Sequence, residues 1–311
     1  MKFRAESRFF TAWDLFDNVI AIEGMGTEMS YLVLGEKRAV LIDGMTGVGS
    51  LRSFVRELTD IPVRLVVTHG HLDHFGGAFE YGECFIHPDD IALAMSELQA
   101  DEETRLNFCL MESPFANRRI VPVLSDVVPQ CAVRTYPIHE GDVFDLGGTE
   151  LEVISVPGHT FGSVVLLDRN NRAVYSGDAC NQNTPLDLPG SASIEEYLAA
   201  LKHFKTFQQE FDAMYCGHVI DVTYDRAGLS RVPDPKLPVR GIDDGIALAE
   251  AILQRRDDAV PLDGKGRFSG RRWREGSAAP ADGSWCNIIY DVHRLHRRPP
   301  TPITDGPNFE R

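Results

Sequence analysis

Short apolar runs separated by polar turns recur through the first 90 residues. YLVL (31–34) and AVLID (39–43) flank the turn-like GEKR and predict a β-hairpin. VGSLRSFVRELT (48–59) carries apolar positions at helical spacing, and Ile61-Pro62 ends the segment. RLVVT (64–68) reads as a buried strand that runs straight into a histidine-rich turn. Glu83–His87 reads as another strand, Pro88-Asp89-Asp90 opens a helix, and the stretch to about residue 110 predicts a helical insertion over one face.

The second half has its own strand set, at Thr149–Val156, Ser163–Asp168, Ala173–Asp178 and Ala213–Cys216. A helix is predicted over 193–208, where Ser193 and Glu196 have the spacing of a capping box. The halves echo each other: YLVLGEKRAVLIDG (31–44) and SVVLLDRNNRAVYSGD (163–178) are both strand, polar turn, strand, acidic end. RLVVTHGH and DAMYCGH are each a strand that delivers a histidine, as a duplicated sandwich would require. Beyond them, RVPDPKLPVRG (231–241) reads as a connector, 242–254 as a helix, 261–285 as a long loop and CNIIYD (286–291) as a returning strand. HRRPPTPITDGPNFER has the composition of a frayed terminus. The expected division is a principal domain over 1–230 and a C-terminal extension over 231–311.

Composition narrows the function classes. The chain has 311 residues, 43% of them hydrophobic, enough for a sizeable core. A formal net charge of −15 argues against nucleic-acid binding, which needs a positive footprint, and leaves a small-molecule substrate as the expected partner. No apolar run approaches the ~20 residues of a membrane span, so no membrane partner is expected. MKFRAESRFFTAWDLF lacks the apolar region of a secretory signal, and six cysteines without a CxxC pair suit reduced thiols. A cytoplasmic location is the expectation. Oligomeric state leaves no trace in the sequence.

THGHLDHFGG (68–77) places three histidines and an aspartate within six residues. Imidazole and carboxylate suit zinc, iron or manganese. On an extended backbone His69, His71 and Asp73 would share one face; on a helix His69 would neighbour Asp73, and His71 would neighbour His74. Neither wraps all four around one tetrahedral ion, but a glycine-loosened turn could divide them between two. Further candidates follow predicted strands: His159 in PGHTFGS, Asp178 in SGDAC and His218 in CGHVID, each beside a glycine. Cys180 lies two residues past Asp178 and reads as a buried thiol. The cysteine-free candidate set favours a catalytic over a structural ion site.

THGHLDH, PGHTFGS, SGDA and CGHV in this order, with LIDG (41–44) upstream, resemble the metallo-β-lactamase superfamily of binuclear metallohydrolases over roughly residues 15–225. The resemblance implies an α/β fold, a four-layer αββα sandwich with the site along one edge. It implies one divalent ion on His69, His71 and His159, a second on Asp73, His74 and His218, and Asp178 bridging them. Asp43 matches the family's acidic residue at the end of the early strand, and its implied job is to orient ligands or fix a loop. Zinc is the expected metal, with iron or manganese as alternatives. The expected reaction is attack of a hydroxide held between two ions on an acyl carbonyl of a thioester, ester or lactone, with Asp73 moving the proton. PGHTFGS and the carboxylate at 178 resemble the glyoxalase II branch. Phosphodiester cleavage and iron-dependent oxygenation are the alternatives within the same fold. In GKGRFSGRRWRE (264–275), Arg271 and Arg272 are candidate clamps for an anionic substrate group on a lid.

Overall fold

Two sheets pack face to face, and the alternation of side chains along each strand explains why. A computed structural model describes residues 1–112, 120–224, 231–271 and 284–296. In the first sheet eight strands lie side by side in chain order: β1 (Lys2–Glu6), β2 (Thr11–Phe16), β3 (Val19–Glu23), β4 (Met29–Leu34), β5 (Ala39–Ile42), β6 (Val63–Val66), β7 (Glu83–Ile86) and β8 (Arg134–Pro137). The second sheet uses β9 (Val143–Asp145), β10 (Glu150–Ser155), β11 (Val164–Asp168), β12 (Ala173–Gly177), β14 (Ala213–Cys216) and β17 (Lys236–Leu237), in the order 17-14-12-11-10-9. Val19, Ala21, Tyr31, Val33, Val40 and Ile42 point into the space between the sheets and meet Val153, Val164, Leu166 and Tyr175. The alternate residues Ile20, Ile22, Leu32 and Leu41 face outward and are covered by helix α1 (Leu51–Leu58) through Phe54 and Val55. On the far side Val165, Leu167 and Val174 are covered by α7 (Ile194–Lys205) and α8 (Gly241–Leu253). Both faces of each sheet are therefore buried, which is why the central strands read as continuous apolar runs. The αββα expectation is met.

The internal echo is structural as well. β4 and β5 pair antiparallel, α1 crosses over, and β6 joins parallel to β5. β11 and β12 pair antiparallel, α7 crosses over, and β14 joins parallel to β12. The capping box is present: Ser193 Oγ accepts from Glu196 N at 3.2 Å, and Ser193 N donates to Glu196 Oε2 at 3.0 Å. Strands β5, β6, β10, β12 and β14 all run toward one edge of the sandwich, where the chain leaves them at the candidate residues.

Three features differ from the expectation. Residues 2–23 form three strands; β1, an exposed edge strand carrying Lys2, Arg4 and Glu6, shows no apolar run. Residues 231–241 are more than a connector. Arg231–Asp234 (β16) pairs with Asp221–Tyr224 (β15), and β17 adds to the second sheet with Leu237 opposite Met214. Val260–Pro261 (β18) and Arg267–Ser269 (β19) break the expected loop; with Asn183–Pro185 (β13) and Asn287–Asp291 (β20) they make a small sheet. Ile242, Leu248, Ala249 and Ile252 of α8 lie in the same core as Leu201 and Phe204 of α7. The described residues beyond 230 thus complete the second half of the sandwich. The expected frayed terminus, 296–311, lies outside the described residues except for His296. Among the described residues no helix is long and apolar enough to cross a membrane.

Candidate metal centre

Residues far apart in sequence converge at the strand ends. His69 and His71 flank Gly70 just past β6, and Asp73 and His74 lie in the single turn α2 (Leu72–Phe75), which a second short turn, α3 (Ala78–Tyr81), follows. His159 follows β10, Asp178 follows β12 and His218 follows β14. The structure brings all seven together as three overlapping trios, His69–His71–His159, His69–His74–Asp178 and Asp73–His74–His218, with donor atoms within 4.8 Å of one another. His218 Nε2 is 3.2 Å from both Asp73 Oδ2 and Asp178 Oδ2. His159 Nε2 is 3.8 Å from Asp178 Oδ2.

The outward nitrogens show which ring atoms face the cluster. His74 Nδ1 donates to Asp43 Oδ2 at 2.8 Å. His159 Nδ1 donates to the Pro185 carbonyl at 2.9 Å. His69 Nδ1 is 3.2 Å from Thr68 Oγ1, whose hydroxyl donates to Asp43 Oδ2 at 2.9 Å. His71 is turned the other way: its Nε2 donates to the Pro189 carbonyl at 3.3 Å, so Nδ1 faces inward, 2.9 Å from His159 Nε2. Each of these rings has one nitrogen committed to an oxygen and one turned to a common centre, the arrangement that fixes a ligand's tautomer. The inward Nε2 atoms of His69 and His74 are buried and have no hydrogen-bond partner. Orphaned nitrogens of this kind, facing carboxylates, fit a divalent cation.

The electrostatics divide the cluster in two. Burial opposes charge on His74, but Asp73, Asp43 and Asp178 outweigh it and hold its pKa up at about 9. His218 is likewise raised well above the ordinary range by Asp178 and Asp73 against the effect of burial. Burial works to raise Asp73, yet His74 and His218 bring it down to about 2. On the other side burial, joined by the neighbouring imidazoles, lowers His69 far below its usual value. Burial and His71 lower His159 to about 4. One side therefore offers neutral imidazole lone pairs, and the other offers carboxylates beside imidazoles that now hold protons a cation could displace.

Asp43 accepts from Thr68 N at 2.7 Å besides His74 Nδ1 and Thr68 Oγ1. Sequence reading missed Asp90, which is 1% exposed. Its only signal was a place in the first turn of helix α4 (Pro88–Ala94), where acidic residues are commonplace. It accepts from Gly70 N, Thr160 Oγ1 and Gly162 N at 2.7, 2.6 and 2.8 Å. Cys180 is buried, and burial pushes its thiol up to about 12. The backbone N–H of Arg271 donates to Asn287 Oδ1 at 3.0 Å in the small sheet, and Arg271 is not among the described residues that line the cleft. Arg272 and most of the expected lid lie outside the described residues.

The cluster opens into a cleft of about 620 Å³. Leu98 and Phe108, from the helical insertion of α5 (Glu97–Ala100) and α6 (Glu102–Glu112), line it together with Leu188, Val219 and Ile220. None of the described lining residues is Lys or Arg.

A family profile described as Metallo-beta-lactamase superfamily matches residues 24–218. The chain belongs to this superfamily. Among curated superfamily relatives, it is 27% identical over 184 residues to acyl-coenzyme A thioesterase MBLAC2 of Gallus gallus, covering 55% of this chain and 64% of that protein. It is 25% identical over 165 residues to hydroxyacylglutathione hydrolase GloC of Haemophilus influenzae, covering 53% of this chain and 71% of that protein. The chain thus spans less than two thirds of the length of the thioesterase. Among solved structures, the sec-alkylsulfatase Pisa1 from Pseudomonas sp. superposes with a TM-score of 0.55 at 13% identity, over 78% of this chain and 42% of that one.

Proposed function

We propose that this member of the superfamily is a binuclear metal-dependent hydrolase that cleaves acyl thioesters with an apolar acyl chain. His69, His71 and His159 would hold one divalent ion and Asp73, His74 and His218 the other, with Asp178 between them and zinc as the metal. The observation that carries this reading is the commitment of one nitrogen each of His69, His71, His74 and His159 to an oxygen, which leaves the other turned to the cluster, two of them buried without a partner. When bound, such a pair of ions supplies a water acidic near neutral pH and an electrophile for the carbonyl oxygen.

The chain's own groups supply the rest. Asp73, held as a carboxylate, orients the attacking water by accepting its hydrogen bond. A thiol ionises near about 8.5, so a thiolate departs without a protonated acid, and the low pKa of Asp73 is no handicap. That favours thioesters over ester or amide leaving groups. The apolar wall of Leu98, Phe108, Leu188 and Ile220 seats the acyl chain and excludes water. The amides of Asn181, Gln182 and Asn183, also on the cleft, suit the polar part of the leaving group. The names of the thioesterase and of GloC point to the same bond. The lack of a cation among the described lining residues gives no support to an anionic-substrate clamp.

A panel of acyl thioesters of increasing chain length, with an ester, a lactone, a β-lactam and a phosphodiester, tests the reading on zinc-loaded protein. Thioesters should be the best substrates, with kcat/KM rising up to about fourfold per added CH2 until the cleft is full. Leu98→Asp should flatten that rise while sparing the shortest acyl chain, and His71→Ala should abolish turnover. Faster phosphodiester cleavage, or turnover that survives in His71→Ala, would overturn it.

A further inference from the structure

Each ligand trio draws residues from both halves of the sandwich, so something must hold the halves in register at the site. Asp43 acts within the first half: it binds His74 directly and reaches His69 through Thr68. A second buried carboxylate reaches across the halves. Asp90 Oδ2 accepts from the N–H of Gly70, between His69 and His71, and from the hydroxyl of Thr160, which follows His159. Asp90 Oδ1 accepts from Gly162 N two residues further on. Gly70 belongs to the loop after β6 in one sheet, and the other two donors belong to the loop after β10 in the other sheet. One carboxylate thus ties together the two loops that carry His69, His71 and His159.

Close approach makes the tie specific. A Cβ on Gly70 would come within 2.7 Å of the Asp90 carbonyl oxygen, and one on Gly162 within 2.7 Å of the Asp90 Cγ. Both contacts are closer than real Cβ atoms tolerate, so both loops press on α4 at this residue. Thr160 is fixed further by Ser163, whose Oγ lies 2.8 Å from Thr160 Oγ1 and accepts from Thr160 N at 3.0 Å.

We propose that Asp90 is a positioning residue that sets the separation of the His69–His71 turn from His159, and thereby the affinity of that trio for its ion. The proposal rests on the metal-binding reading above. Three donors converge on the carboxylate, and an asparagine in its place could satisfy only those on its single oxygen. The asparagine NH2 would face either Gly162 N–H or the pair from Gly70 and Thr160, donor against donor, and push the loops apart. Thr160→Val removes a single donor and keeps the side-chain volume.

The test is competitive zinc titration of the full chain against a chromophoric chelator, with the melting temperature of the zinc-free protein measured alongside. Wild type should bind two zinc ions. Asp90→Asn should weaken one of them by about 10–100-fold, the usual scale for a group supporting metal ligands, and leave the other within about threefold. In a His159→Ala background, which already lacks the first trio, Asp90→Asn should cause no further loss. Thr160→Val should show the same selective loss at smaller size, about tenfold or less, and Thr160→Ser should restore wild-type affinity. If Asp90→Asn does not fold, Thr160→Val carries the test. Equal weakening of both ions, or a lowered melting temperature with both affinities unchanged, overturns the role of Asp90. A wild type that binds no zinc instead overturns the metal reading beneath it.

Discussion

Replacing Asp43 with Asn isolates the electrostatic job of this residue from its backbone job. Asp43 sits at φ +65, in the left-handed region that Asn tolerates better than other residues with a Cβ, so Asn adds little strain. Asp43 accepts three buried donors, Thr68 N at 2.7 Å, Thr68 Oγ1 at 2.9 Å and His74 Nδ1 at 2.8 Å. The amide of Asn has one accepting oxygen. With that oxygen kept for Thr68 N, its NH2 faces His74 and forces Nδ1 to accept, which moves the imidazole proton to Nε2. Nε2 is the atom turned to the cluster, so the ring loses its inward lone pair. Zinc affinity of the Asp73–His74–His218 trio should fall about 10–100-fold. Imperfect pairing of one buried group costs about 1–2 kcal/mol, and the melting temperature of zinc-free protein should drop by about 2–6 °C at the few degrees per kcal/mol typical of large domains. Asp43→Ala strands all three donors and should cost about 4 kcal/mol or more. Chelator competition reads the affinity, and nitrogen-15 NMR of the imidazoles reads the tautomer. An Asp43→Asn protein with zinc affinity within about threefold of wild type and His74 still protonated at Nδ1 would refute the reasoning.

Two further outcomes follow from packing and burial. A chain ending at residue 230 should fail to fold its second half, because it strips Ile242, Leu248 and Ile252 from the core; at about 1.5–3 kcal/mol per buried side chain that loss rivals a whole domain's stability. Intact folding of that truncated chain, judged by a cooperative denaturant transition, would show residues 231–296 to be a dispensable appendage. Burial raises the thiols of Cys84, Cys180 and Cys216 to about 12, so at pH 8 each is almost wholly protonated and unreactive. Brief treatment with iodoacetamide should label exposed Cys131 first, and mass spectrometry showing early labelling of Cys180 would contradict this environment.

Legibility in the sequence tracked local signal. The hairpin over 31–43 announced itself through two apolar runs around GEKR, and α7 through its capping box and helical spacing. The histidine turn stood out because its residue types are rare together. Strand β1 was hidden because an exposed edge tolerates alternating charge, which protects it from pairing with other chains. Residues 231–237 were hidden because Pro233, Pro235 and Pro238 suggest a linker, while a two-residue edge strand needs little ladder. Asp90 was hidden for a deeper reason. Its partners Gly70, Thr160 and Gly162 lie up to 72 positions away, and only the fold brings their donors to one carboxylate. The reversed ring of His71 depends in the same way on the carbonyl of Pro189, 118 positions on.

Anomalous X-ray diffraction at the zinc edge, on crystals of zinc-loaded protein, tests the central claim most directly. Two peaks are predicted, one among His69, His71 and His159 and one among Asp73, His74 and His218, with Asp178 touching both. A single peak, or strong peaks only at other residues, would contradict a binuclear centre built from these seven side chains.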